Sequence, residues 1–467
     1  MGLWQVFWSC VKSLRGAFTR QTTFTWFVIV LAAMCVRQDH FGVTSFIRAL
    51  NLDPRYYRHL LHFFHSNAWS VKSLTREWVR WVLRMFGQYK INGRHVLIAD
   101  GIKAAKEGRK MPGVKSLHQE SASNSKADWI MGHSFQAISF LFCKGNCVWS
   151  IPLAARIHEG LISNNKDRRT LADKLASLLF EIYGSFAKPI YLLADSYYAC
   201  AKLMRKLTKD GHDLITRVRN NAVAYRVAGA SEKKGKGRPN KYGKKVILKT
   251  LFKDPSRFCQ GQIRGYEQRI QTVAYYCVDL LWRPVKSLVR FVLVDYPGRG
   301  RIILMTTDLT LDPLIVIELY AKRFQIEVMF KQLVRTIGAF SYHFWFKCMD
   351  RIKRGSGNQY LHRKPEQYRQ QALFKKEVYE RFVIIGIIAQ GFMQYLATYF
   401  SEQVWLSYDS WLRTVPVNGY PSERIVASAL VTSLPDFFAS SAFVLPFTKI
   451  LTKYRCQNKN PPSIRAA

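Results

Sequence analysis

Two short apolar runs constrain this chain more than any other feature, because each closes on a carboxylate. Residues 95–100 read HVLIAD and end at Asp100, followed by Gly101 and a basic stretch; residues 189–199 read PIYLLADSYYA, with Asp195 closing the run. Apolar runs of this length beside turn-forming residues predict buried strands. An acid at a strand end is often only a turn former or a helix N-cap. Two such acids, joined by a third from a helix, form a ligand set.

The third acid lies in residues 320–335, YAKRFQIEVMFKQLVR. Its polar side chains fall at Tyr320, Arg323, Glu327 and Lys331, steps of three, four and four that put all four on one stripe of a predicted α-helix. Phe324, Ile326, Val328, Phe330 and Leu333 offer apolar surface for burial, so Glu327 can be held rigidly. Alone, the stretch also reads as an amphipathic helix stabilised by a Glu327–Lys331 pair. With Asp100 and Asp195 it matches the carboxylates that hold two divalent cations about 3.5 to 4 Å apart for in-line attack on phosphate esters. Hard oxygen ligands suit Mg²⁺ and also Mn²⁺.

These residues resemble a known family, the DDE transposases of bacterial insertion sequences, in the cut-and-paste branch that excises DNA through hairpin ends. That branch has Tyr, two residues, Arg, three residues, Glu, six residues and Lys around its third acid; Tyr320, Arg323 and Glu327 match in identity and spacing. The position of the final Lys is Val334, with Arg335 beside it and Lys331 one turn earlier. The flanks TTDLTLDPLIVIELY and IGAFSYHFWFKCMDRI are also similar to the family, and the likeness covers roughly residues 91–350. It implies Asp100, Asp195 and Glu327 as catalytic and metal-holding residues, two Mg²⁺ ions, and Tyr320 and Arg323 on the phosphate beside the cleaved bond. Lys331 and Arg335 are the cations that could take the role of the final Lys. Relatives that form hairpins trap a flipped base with an aromatic side chain near the strand before the glutamate helix; RIILMTTDLT, residues 301–310, has no Trp.

Charge points to the same class of partner. Lys plus Arg number 71 against 31 Asp plus Glu, a net charge of +40, which suits a polyanion, nucleic acid before an anionic membrane surface. The basic, low-complexity stretch at residues 231–245, SEKKGKGRPNKYGKK, has almost no apolar residue, so Lys236, Arg238, Lys241 and Lys244 are expected along a phosphate backbone; an inert linker is the plainer reading. Between Asp100 and Gln119, Lys103, Lys106, Arg109, Lys110 and Lys115 read as phosphate contacts or as a solvated basic loop. Nine cysteines, an odd number without a regular framework, favour a reducing compartment. The apolar run at residues 24–36 is short for a membrane span and reads as a buried helix.

The length of 467 residues calls for two or three subdomains. The fold class expected is α/β: a ribonuclease-H-like core interrupted by a β-rich insertion, with helical N- and C-terminal regions. A helical DNA-binding region is expected over residues 1–87, the first part of the core over 88–200, the insertion with its basic loop over 201–310, completion of the core over 311–350, and a helical, candidate dimerisation region over 351–467. Residues 374–400 form an apolar helix that reads as buried or self-associating rather than membrane-spanning. The expected partners are double-stranded DNA, as transposon ends and target, and a second copy of the chain in a synaptic complex, with no stable membrane insertion and a cytoplasmic, DNA-associated location. A catalytically inactive DNA-binding descendant of such an element is the alternative reading, and a basic membrane-surface protein is a third.

Overall fold

The first apolar run does not stop at its acid. In the computed structural model, which describes residues 2–119, 127–229, 240–265, 269–298, 300–409, 419–439 and 446–456, strand β1 spans His95–Ala105. Then come β2 (Lys115–His118), β3 (Trp129–Lys144), β4 (Cys147–Ile157), β5 (Leu161–Ile162), β6 (Ile190–Ala194) and β7 (Asp213–Arg217). Asp100 therefore lies inside a strand rather than at its end, because antiparallel pairing with β3 continues as far as Ala105 opposite Gly132. The apolar run ends where its parallel partner ends: β6 pairs β1 only up to Ala194 opposite Ala99.

Pairing of β3 with β1 and β4 is antiparallel, and that of β6 with β1 and β7 is parallel, so the order across is β4-β3-β1-β6-β7. This is a ribonuclease-H-like core. Residues 96–99 of β1 and all of β6 are buried, as expected of strands covered on both faces. The β-rich stretch contributes β8 (Val223–Val227), β9 (Tyr242–Ile247), β10 (Cys259–Arg264), β11 (Ile270–Trp282), β12 (Ser287–Tyr296) and β13 (Gly300–Thr306). β13 pairs antiparallel with β7, followed by β12 and β11, so these strands extend the core sheet to 12 strands.

Helices cover the sheet. At the N-terminal side lie α1 (Leu3–Lys12), α2 (Gln21–Val36), α3 (Thr44–Leu50), α4 (Tyr57–His65) and α5 (Val71–Phe86). α2 is buried inside the protein, with residues 27–33 fully inaccessible. α5 starts where the Ser70 side chain accepts the Ser73 N–H, and its Trp78 and Trp81 stack on each other in the core and meet the Phe392 ring edge-on. α6 (Leu171–Tyr183) begins at a reciprocal Thr170–Asp173 capping box, and α7 (Ala201–Lys209) is the crossover that the parallel pair β6–β7 requires.

Beyond the sheet come α8 (Pro313–Lys322), capped by Asp312, then α9 (Gln325–Gln332), and a π-helical turn over Leu333–Ile337. A two-residue strand β14 (Gln359–Tyr360) pairs with β5, and α10 (Glu366–Tyr399) follows. α10 is long and apolar enough to cross a membrane, yet 89% of its most apolar window is buried by the rest of the chain. Its glycines permit close packing: a Cβ on Gly386 would lie 2.4 Å from the Ala339 Cβ, and one on Gly391 would lie 2.3 Å from the Trp78 ring. The chain then continues helical, as α11 (Ser401–Ser407), α12 (Glu423–Thr432), α13 (Leu434–Ala439) and α14 (Pro446–Tyr454).

Candidate active site

Strand register brings the first two acids together. With Ala99 opposite Ala194, Asp100 and Asp195 are the next residues on adjacent parallel strands, whose backbones run roughly 4.8 Å apart. Asp100 shares a face of β1 with Ile98, and on that face Ser139 accepts from Ser150, whose hydroxyl also reaches the Met329 sulfur on α9. The glutamate helix thus covers the face that carries Asp100.

The single helix expected over residues 320–335 is broken. Arg323 and Phe324 keep right-handed helical torsions but separate α8 from α9. The turn is tightened there: Arg323 N–H donates to Tyr320 C=O, Ile326 N–H to Arg323 C=O and Glu327 N–H to Phe324 C=O, each three residues back. This break sits at Arg323, which reaches across to the sheet. Its Nη1 donates to Asp100 Oδ2 at 2.9 Å and its Nη2 to Glu327 Oε1 at 3.3 Å. The i,i+4 pair of the helix is consequently Arg323–Glu327 rather than Glu327–Lys331, and Lys331 is exposed with no ion pair among the described residues. Tyr320 is half-buried, with Arg323 5.8 Å from its ring centroid.

Electrostatics follow from this packing. Burial raises the Asp100 pKa above its ordinary value; Arg323 and the Gly101 N–H oppose the rise, while Asp195 and Glu327 add to it. Burial also works against the Arg323 charge, but Asp100, Tyr320, Asp195 and Glu327 outweigh it and the guanidinium pKa rises. Burial lifts the Tyr320 pKa, which Arg323 moderates and Asp195 reinforces.

Among the described residues no group of three His, Cys, Asp or Glu side chains stands close enough to hold a metal ion as placed. The donor set still fits a hard divalent cation: it is all carboxylate, and a positive charge, Arg323, already bridges two of its members. The other residues expected to contact DNA are dispersed. Arg335 and Val334, 45% exposed, lie on the π-helical turn beyond Glu327. Lys241 and Lys244 are exposed on and beside β9, with Lys241 Nζ donating to Lys286 C=O; Lys236 and Arg238 lie outside the described residues.

Four cations of the expected phosphate-binding stretch have partners within the chain, Lys103 and Lys110 donating to the His118 and Lys347 carbonyls. Lys115 pairs with Glu159 at 2.9 Å. Lys106 is buried, its Nζ donating to the Phe340 and Tyr342 carbonyls and lying 3.8 Å from the Tyr342 ring centroid. It ties the strand of Asp100 to the chain that leaves the Glu327 helix. Arg37, at the end of α2, does the same from the other side: it donates to the Ile337 and Gly338 carbonyls and to Ser45 Oγ. Gln390 Nε2 of α10 donates to the Met329 carbonyl and, with Gln394, to Glu423 Oε1. Sequence reasoning missed these supports because their partners are backbone carbonyls remote in the chain; the one local signal was Gly338, whose φ of 66° ends the helix.

Comparison with known proteins adds a family. A profile described as "DDE superfamily endonuclease" matches residues 13–276, a span that includes Asp100 and Asp195 and ends before Glu327. No curated protein matches the sequence. Among solved structures, a piggyBac transposase in a synaptic complex with hairpin DNA aligns over 95% of this chain and 78% of its own, at 11% identity and a TM-score of 0.36, a likeness too slight to carry an argument.

Proposed function

The chain belongs to the DDE superfamily endonucleases, and from that premise we propose that it is a DNA transposase that cuts at transposon ends and joins them to target DNA by a cut-and-paste route. The observation that carries this reading is the convergence of Asp100, Asp195 and the Arg323–Glu327 pair where β6 ends beside β1. In this proposal the three acids hold two Mg²⁺ ions, with Mn²⁺ able to substitute. Ions bound there would activate the attacking oxygen and neutralise charge on the leaving oxygen. Asp100 and Asp195 are set by strand register; Glu327 is set by a helix whose exit Arg37 and Lys106 clamp. Arg323, a planar fork above Tyr320, grips the phosphate beside the scissile bond, and Lys331 and Arg335 extend the contact along the backbone.

The helices of residues 1–87 are proposed as a DNA-binding region and those of residues 351–467 as a dimerisation region, since one active site per transposon end requires two protomers. Val334, standing where related signatures have Lys, favours a second reading, a DNA-binding descendant that no longer cuts.

The test is cleavage of a linear DNA carrying the ends of the encoding element, in Mg²⁺, by the natural protein and by Glu327→Gln. End cutting by the natural protein, lost with chelator and in the variant, supports the enzyme. End-specific binding without cutting by either supports the second reading.

A further inference from the structure

Arg323 stands where the proposed function needs a different cation. One guanidinium engages two of the three acids, through Asp100 Oδ2 at 2.9 Å and Glu327 Oε1 at 3.3 Å, and is largely withdrawn from solvent. The Asp195 carboxylate receives no bond from it among those described. An oxygen that accepts from a guanidinium N–H has that lone-pair direction occupied, and the arginine charge repels an approaching ion. We infer that Arg323 is a built-in counter-ion that competes with divalent cations for Asp100 and Glu327, and that ion binding releases its guanidinium toward the DNA backbone. This rests on the metal-holding role proposed above for the same acids. Arg323 has a place to go: it is anchored at the α8–α9 break, over the Tyr320 face, with a planar fork that matches a phosphate.

Linkage then makes the two ligands cooperative. A phosphate that draws Arg323 away tightens ion binding by the same factor by which ions tighten phosphate binding. Arg323 thereby couples DNA engagement to ion loading. An arginine that merely oriented the carboxylates would act with the opposite sign, since its loss would weaken ion binding.

Mn²⁺ binding to the full chain without DNA, followed by electron paramagnetic resonance, separates the two. Arg323→Gln is expected to bind Mn²⁺ about tenfold more tightly than the natural protein, within the usual range for coupled sites. Affinity unchanged or weakened would overturn the inference. Glu327→Gln, introduced into both backgrounds, is expected to weaken binding in each. Mn²⁺ binding indifferent to Glu327→Gln would overturn the metal-holding role itself, whereas binding that needs Glu327 but does not gain from Arg323→Gln overturns the inference alone. Should Arg323→Gln fail to fold, Arg323→Lys, a point charge without the fork, is expected to give a smaller gain in the same direction, and no gain would overturn the inference.

Discussion

At the scale of single residues, the supports behind the glutamate helix are where stability should be most sensitive. Lys106→Met keeps the apolar stem and removes the donor shared by the Phe340 and Tyr342 carbonyls. Leaving buried acceptors unpaired costs on the order of 1–3 kcal/mol, readable as a lower urea midpoint. Burial lowers the Lys106 pKa from 10.5 to about 7, so between these values the unfolded chain holds a proton that the folded one has released. Its contribution to stability therefore rises with pH from about 7 to 10.5, and Lys106→Met should flatten that rise. Glu423 behaves in the reverse sense. Burial raises its pKa above the ordinary 4.5, so its contribution is full below that value and is lost as pH rises through the raised one. Gln390 Oε1 and Gln394 Oε1 lie buried near it without a donor among the described residues. Glu423→Gln replaces a titratable group by one that stays neutral and adds an N–H for them, and should raise stability at pH 8 by about 1 kcal/mol in thermal melts. None of this was legible in the sequence. Lys106 reads as one more cation of a basic loop, because the carbonyls that bury it come from residues 340 and 342.

At the scale of elements, buried strands were the most legible part. Residues 95–99 and 190–194 are so apolar that few alternatives exist, and both are strands. What local pattern could not show is where pairing stops, which depends on the partner; Asp100 lies mid-strand because β3 outlasts β6. The α8–α9 break was equally hidden, since Arg323 and Phe324 keep helical torsions. Two substitutions probe this region. Gly386→Ala would drive a Cβ against Ala339 in the segment that leaves the π-helical turn, and overpacking of that kind costs about 1–3 kcal/mol. Because that segment anchors the exit of the Glu327 helix, end cutting should fall further than the loss of stability at the assay temperature explains, measured by melting and cleavage on one preparation. Val334→Lys adds charge at an exposed position and should leave stability within about 0.5 kcal/mol of the parent. It should tighten DNA binding and steepen the slope of log affinity against log salt by about one.

For the whole molecule, the net charge of +40 is carried on a sheet that runs well past the catalytic core. The core order β4-β3-β1-β6-β7 needs nothing beyond β7, yet β13, β12 and β11 continue it and carry β8 and β9 far from the acids. β9 sets Lys244 and Lys245 side by side, both exposed, and alternation along a strand points them to opposite faces of the sheet margin. If this margin lies along DNA, the two lysines should act through phosphate neutralisation alone, each displacing a counterion. Replacing both by Gln should then leave the melting temperature unchanged, weaken binding to any duplex irrespective of sequence, and reduce the salt slope by about two. Only one of the two can face a given DNA helix if the margin is approached from one side, in which case the slope falls by about one, and the single variants identify the face. A slope unchanged by the double substitution would place the DNA elsewhere and leave the extension of the sheet without a role in binding.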